Sequence, residues 1–209
     1  EAAAGAAEKV VSPFEVREVT VTEFTPAALK GMDVVMLLNV DELPAASVAA
    51  LETFIRAGGG VGIACGDRVD PETFNKSLAG IAPCKLFRKA MEQDAQPAVI
   101  TWVDLEHEIF RPFDGPRRGD FTQPRFVQYF DVKDSQLAAV LARLSTWAPL
   151  LLEKKLGEGK TVLWTSTLDW EWNGLCIEPV FLPFIHQLAR RLCAEKAGGV
   201  RNVLVGDHL

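Results

Sequence analysis

Few side chains in this 209-residue sequence could do chemistry, and their spacing limits what they could do. Cys65 is one of four cysteines that could supply a thiol. It follows the apolar run Val61-Gly62-Ile63-Ala64 and precedes Gly66-Asp67. A thiol attacks as its thiolate, and a neighbouring imidazole is the usual means of producing one. The histidines are His107, His186 and His208. His186 falls on the flank of a helical apolar stripe, His107 in a loop-like stretch where a turn or capping contact is expected, and His208 in the last residues. With no imidazole placed to activate it, Cys65 reads first as a core cysteine, which behaves as a small hydrophobe. Cys84, Cys176 and Cys193 complete the set without any CxxC spacing, so the paired pattern of zinc and redox sites is absent.

A second constellation comes from acids and indoles that end three apolar segments: Asn39-Val40-Asp41-Glu42, Cys65-Gly66-Asp67-Arg68 and Thr167-Leu168-Asp169-Trp170-Glu171-Trp172-Asn173. Ligands of open parallel sheets bind outside the carboxyl ends of the strands. If the three segments lie side by side, Asp41, Asp67, Asp169 and Glu171 converge on an acidic crevice walled by Trp170 and Trp172. Asn39 and Asn173 complete the candidate ligand-binding set. Such a crevice suits a hard cation, paired-acid catalysis, or a sugar or peptide against an indole face. The plainer reading is favoured: Asp and Asn cap the following turns and helices, and the indoles seal the sheet end.

The glycine-rich pieces Gly58-Gly59-Gly60 and Gly157-Glu158-Gly159-Lys160 match neither GxGxxG nor a P-loop, and both read as turns. No cofactor or metal is expected. Arg111, Arg117, Arg118 and Arg125 are interrupted by Asp114 and Asp120, which suits a solvated loop, with protein contact as the sharper alternative.

The elements that must position these residues follow from periodicity. Phe14 to Thr22 alternates like a half-buried strand. Asp33 to Asn39 and Val61 to Cys65 are short apolar runs of the kind covered on both faces in a parallel sheet. Between them Pro44 opens a helix with Val48, Leu51, Phe54 and Ile55 on one stripe, and Gly58 ends it. Asp70-Pro71-Glu72 supplies a cap, a first-turn proline and an acid for a helix to about Leu78. Strand, helix, strand, helix with short links is the pattern of a parallel sheet. Ala98–Val103 and Arg125–Val132 are strand-like, separated by a loop over 111–124; Leu137–Leu144 is a strand or a short helix. Leu150–Leu156 and Lys160–Thr167 form a hairpin across Gly157-Glu158-Gly159. A final helix begins near Glu178-Pro179, with Phe181, Phe184, Ile185, Leu188 and Leu192 on one face.

Composition sets outer bounds. Apolar residues make up 48% and charged residues 24%, which excludes a disordered chain. The net charge of −6 with scattered cations gives no nucleic-acid footprint. The apolar runs fall short of the roughly 20 residues that span a bilayer, and no signal peptide is visible. The expected organisation is a leader over 1–13, helical or disordered, an α/β domain over 14–197, and a linker or start of a following domain over 198–209. Val200 to Val205 reads like a strand beginning at the end of the chain, and both ends read as cut.

The run ALETFIRAGGGVGIACGD, a helix, glycine turn, buried strand and sharp elbow in succession, resembles the nucleophile-elbow region of class I glutamine amidotransferase-like domains. HEIFRPF, GDF and GEGKTVLWTSTLDWEWNGLCIEPVFLPFIHQLARRL resemble the version of that domain found in large membrane-anchored bacterial proteins of the aerotolerance-regulator type, often alongside a von Willebrand A domain. The resemblance covers roughly 14–195. It implies a flavodoxin-like, three-layer α/β domain with a mostly parallel sheet and a C-terminal hairpin. Its first strand, normally central, has no counterpart in EAAAGAAEK. Working members pair the elbow Cys with a His and a Glu on a later strand end, where this chain reads Thr167-Leu168-Asp169-Trp170-Glu171 and has no His. The implied role is a non-catalytic module for interaction or assembly, soluble itself and tethered to the bacterial inner membrane only through segments outside the sequence. Its expected partners are other domains of the same polypeptide or another protein. The alternatives are a glutaminase-like amidohydrolase using Cys65, and a carbohydrate- or metal-binding module at the crevice.

Overall fold

The computed structural model describes residues 14–93, 95–115, 119–133 and 135–193. The leader, Val200–Val205, His208, Arg117 and Arg118 lie outside the described residues.

Chain order runs β1 (Val34–Leu38), α1 (Ala45–Arg56), β2 (Gly60–Ala64), α2 (Pro71–Ser77), β3 (Lys85–Met91), β4 (Ala98–Val103), β5 (Arg125–Phe126), β6 (Gln128–Lys133), β7 (Ala139–Leu144), β8 (Pro149–Leu156), β9 (Gly159–Trp164) and α3 (Phe181–Leu192). A seven-stranded sheet has the order β1-β2-β9-β8-β7-β4-β5, and β3 and β6 form a separate antiparallel ribbon. β1, β2 and β9 are mutually parallel, and antiparallel pairing takes over from β8 outward. Followed across these ladders, β1, β2, β9, β7 and β5 share one direction and only β8 and β4 oppose it.

Side-chain alternation divides the core into two layers. Ala64, Val162 and Trp164 face Phe184, Leu188 and Leu192 of α3. Val61, Ile63 and Leu163 face Leu51 and Ile55 of α1, Phe74 of α2, and Leu86 and Phe130 of the ribbon. β2 is buried on both faces, as its unbroken apolar run requires. Asp70 caps α2 by accepting from the Thr73 amide at 2.9 Å, ahead of Pro71 in the first turn. The β8–β9 hairpin turns at Gly157-Glu158, with Leu156 opposite Gly159. A side chain at Gly159 would collide with the carbonyls of Ile55 and Gly59, and one at Gly60 with the carbonyl of Leu192. The sheet thus meets the carboxyl ends of α1 and α3 at bare backbone.

Two expectations change, one alternative is decided and one element is new. Residues 14–22 are not a strand: Phe14 packs on the His186 ring at 5.7 Å, residues 15–20 are exposed, and the segment pairs with nothing in the sheet. Among the described residues β1 is an edge strand rather than one covered on both faces, with Met36 and Leu38 exposed. Leu137–Leu144 resolves as the strand β7 after a short 3₁₀ turn. β3 is an element that periodicity missed, because Lys85, Arg88 and Lys89 give it a solvated outer face and its partner β6 lies far along the chain.

α3 is also fastened by charge. Arg191 donates to both oxygens of Glu153 on β8, at 2.8 and 2.6 Å, and to Glu108 at 2.8 Å. His107 Nδ1 accepts from the Ile109 amide at 3.3 Å, and its Nε2 stands 3.6 Å from Glu153, beyond hydrogen-bond distance. Burial opposes the charged form of Glu153, but the Arg191 fork and His107 outweigh it and lower its pKa from 4.5 to about 2. With the folded pKa depressed, the stabilisation is complete above the unfolded value and is lost as pH falls through about 2. Removing one partner of a buried pair leaves the other uncompensated, so Glu153→Gln is expected to cost about 3 kcal/mol near neutral pH. Chemical denaturation of both proteins across the acid range checks this: the variant should start lower and lose less stability as the pH falls.

Candidate functional site

The three segments singled out by sequence are neighbours in space. Leu38 pairs with Ala64 and Ala64 with Trp164, so the carboxyl ends of β1, β2 and β9 lie in a row. At the end of β1 the backbone enters the left-handed region at Asn39, φ 56°, a conformation Asn tolerates better than most residues. The Asn39 amide lies over Gly66, where a Cβ would displace it. Its Nδ2 donates to Asp67 Oδ1 at 2.6 Å and its Oδ1 accepts from the Arg68 amide at 3.0 Å. Asn39 and Asp67 do meet, and what they build is a brace between the β1 and β2 exits.

Cys65 occupies the first position after β2. Its amide donates to the Trp164 carbonyl at 3.1 Å and is committed to the sheet. The side chain is buried among residues packed on α1 and α2. Burial pushes the thiol pKa far up, with nearby Cys84 adding to the shift. A strained nucleophile elbow has a distinctive backbone, but among the described residues the non-glycine positions with positive φ are Asn39 and Trp147, not Cys65. Neither described imidazole is engaged with the sulfur: His107 turns to Ile109 and Glu153, and His186 to Phe14.

Beyond β9, where a strand-end His would stand, the chain passes through Thr165, Ser166 and Thr167, all buried. Each hydroxyl is spent internally. Thr165 Oγ1 donates to the Pro149 carbonyl at 3.0 Å, Ser166 Oγ to the Gln128 carbonyl at 2.8 Å, and Thr167 Oγ1 to the Asp169 carbonyl at 3.4 Å. Asn173, also buried, donates to Ser166 Oγ at 3.1 Å and the Thr167 carbonyl at 2.7 Å, and accepts from the Leu175 amide at 3.0 Å. Asp169 accepts from the Glu171 amide at 2.9 Å in a local turn. Asp169 and Asn173 thus serve local turns.

The indoles part company. Trp172 is buried, 5.7 Å from the Phe130 ring and with the Lys89 ammonium 5.2 Å above it. Trp170 is 78% exposed. It borders an open groove of about 370 Å³ lined by Arg125, Glu171, Trp172, Asn173 and Ile177 among others. Ile177 was outside the candidate set because its place beside Trp170 depends on the turn that follows Asn173. Asn39, Asp41, Asp67 and Asp169 do not line this groove. Among the described residues no three His, Cys, Asp or Glu side chains form a metal-holding group, and no helix is long and apolar enough to cross a membrane.

No known family's sequence model matches the chain, and no curated protein matches it. Solved structures do. The cytoplasmic protein STM3548 from Salmonella typhimurium aligns at a TM-score of 0.67 and 15% identity, over 82% of this chain and 76% of its own. A ThuA-like protein from Bacteroides uniformis ATCC 8492 aligns at 0.60 and 15% identity, over 87% and 78%. The β-galactosidase from Rahnella sp. R3 aligns at 0.52 and 16% identity, over 77% of this chain but only 23% of the enzyme. At these identities the likeness is one of fold, and the fold is flavodoxin-like α/β.

Thiol accessibility follows directly from these environments. In the native protein, Cys176 and Cys193, each half-buried, are expected to react with an alkylating reagent well before Cys65 and Cys84, which are buried. Mass-spectrometric mapping of labelled peptides before and after denaturation checks the order. Rapid native labelling of Cys65 would refute it.

Proposed function

We propose that this domain is a non-catalytic amidotransferase-like module that serves protein interaction or assembly within a larger, membrane-anchored bacterial polypeptide, tethered to the inner membrane by segments outside these residues. The observation that carries the reading is the state of Cys65. Its sulfur is enclosed by the α1–α2 core, its amide is bonded to Trp164, and neither described imidazole attends it. Thiolate chemistry needs an accessible sulfur and a group that favours its ionised form. An apolar enclosure supplies the reverse of both. Use of the fold as one part of a longer chain has a parallel in the Rahnella β-galactosidase, where the matching part is under a quarter of the protein. The expected partners are other domains of the same polypeptide or a separate protein.

A second reading rests on Trp170. An indole this exposed, beside Arg125 and Glu171 in an open groove, could stack on the apolar face of a sugar while its neighbours bond the hydroxyls.

Ammonia release from glutamine separates the leading reading from an amidohydrolase. Wild type and Cys65→Ala are expected to give the same background rate. Release that disappears in Cys65→Ala would establish catalysis and end the module reading. Calorimetric titration with oligosaccharides, using Trp170→Ala as the control, tests the second reading: heat lost in the variant would promote it.

A further inference from the structure

Trp170 and Ile177 are large apolar side chains that the fold holds outward. Among the described residues they are 78% and 79% exposed, and both line the groove beyond β9. The backbone beneath them is fastened to the segment that starts at β5. The Val127 amide donates to the Trp172 carbonyl at 2.9 Å, the Gly174 amide to the Arg125 carbonyl at 3.1 Å, and Phe126 forms a bridge with Asn173. With those backbone groups committed, recognition at the groove falls to side chains.

Two charges in the groove are also unanswered. Arg125 and Glu171 both line it. Among the described residues they pair neither with each other nor with any other charged side chain. A partner that fits must therefore cover two apolar side chains and answer one positive and one negative charge. A second copy of the chain meets each of these demands. Under two-fold symmetry a patch meets itself, so Arg125 of each copy can face Glu171 of the other. The chain's net charge of −6 opposes contact between copies. The formal charges of Arg125 and Glu171 cancel, so this face adds nothing to that repulsion.

We propose that the Trp170 groove is a self-association surface through which two copies of the chain pair, Arg125 of each against Glu171 of the other, with Trp170 and Ile177 packed between them. This rests on the module reading, since it names a second copy as the partner in assembly. Tryptophan and arginine are the side chains that most often carry the binding energy of such contacts. A groove of about 370 Å³ is small for a permanent interface, so the association is weak and depends on concentration.

Sedimentation velocity over a concentration series, with hydroxyl-radical footprinting of the same samples, tests this. The wild type should pass from monomer to dimer, and labelling of Trp170 and Ile177 should fall along with that change. Trp170→Ala should weaken the dimer on the order of 30-fold. Arg125→Glu and Glu171→Arg should each weaken it about tenfold, and the double variant should return to within about threefold of wild type. All three positions are exposed, so melting temperatures should be unchanged. Four results would overturn the proposal. The first is a monomer at every concentration with Trp170 readily labelled, and labelling then suppressed by an oligosaccharide would give the groove to the sugar reading. The second is Trp170 and Ile177 shielded even in the dilute monomer, which would put the chain's own terminal residues over the groove. The others are a dimer indifferent to these substitutions, and a double variant that fails to recover. None of these touches the glutamine comparison of wild type with Cys65→Ala, so the module reading stands or falls separately.

Discussion

The architecture depends on how closely helix ends approach strand backbone at two glycines. At Gly159 the hairpin between β8 and β9 lies against the Ile55 and Gly59 carbonyls, and at Gly60 the start of β2 lies against the Leu192 carbonyl. A methyl group at either site would push a helix off the sheet, and close-packed interiors cannot absorb such a shift without cost. These contacts set the depth of α1 on one face and α3 on the other. They also align β2 and β9, whose carboxyl ends form the middle of the candidate site.

At that site the polar groups are committed before any ligand arrives. Asn39 joins Asp67 and the Arg68 amide, and Asn173 ties Ser166 and Thr167 to the turn that leads toward α3. A buried hydroxyl or amide without a partner is expensive, and the buried Ser166, Thr167 and Asn173 all have partners, whereas the Asn39–Asp67 bond is exposed. Cys65 fits the same pattern, enclosed by apolar neighbours that favour the neutral thiol. Exposed Trp170 stands apart, with its flanking groove open to solvent.

The sheet is lopsided in consequence of its topology. Its antiparallel half ends in the two-residue β5, and its parallel half ends, among the described residues, in the five apolar residues of β1, of which Met36 and Leu38 are exposed. Among the described residues α3 is the α-helix on that side, and Met36 and Leu38 are exposed at the margin while Leu37, on the α1 side, is buried.

Local signals determined a good deal by themselves. The apolar runs of β1 and β2, the Asp70-Pro71 start of α2, the glycine turn of the hairpin and the apolar stripe of α3 were all legible, because capping, turn chemistry and periodicity act over a few residues. The side-by-side placement of the three strand ends entered only as a condition, and the structure meets it. What the strand ends do was left to tertiary structure. Whether Asp67 meets a metal or Asn39, and whether Trp172 lines a crevice or packs on Phe130, depends on residues distant in the chain. The Glu153–Arg191–His107 cluster has no sequence signature, because it joins β8, α3 and a loop only once all three are folded. Phe14 to Thr22 failed as a strand for the same reason: alternation offers one apolar face, but only an available sheet edge turns it into a strand. Cys65 was ambiguous at the elbow because a thiol's chemistry is set by enclosure and by neighbours, and these come from α1, α2 and the ribbon together.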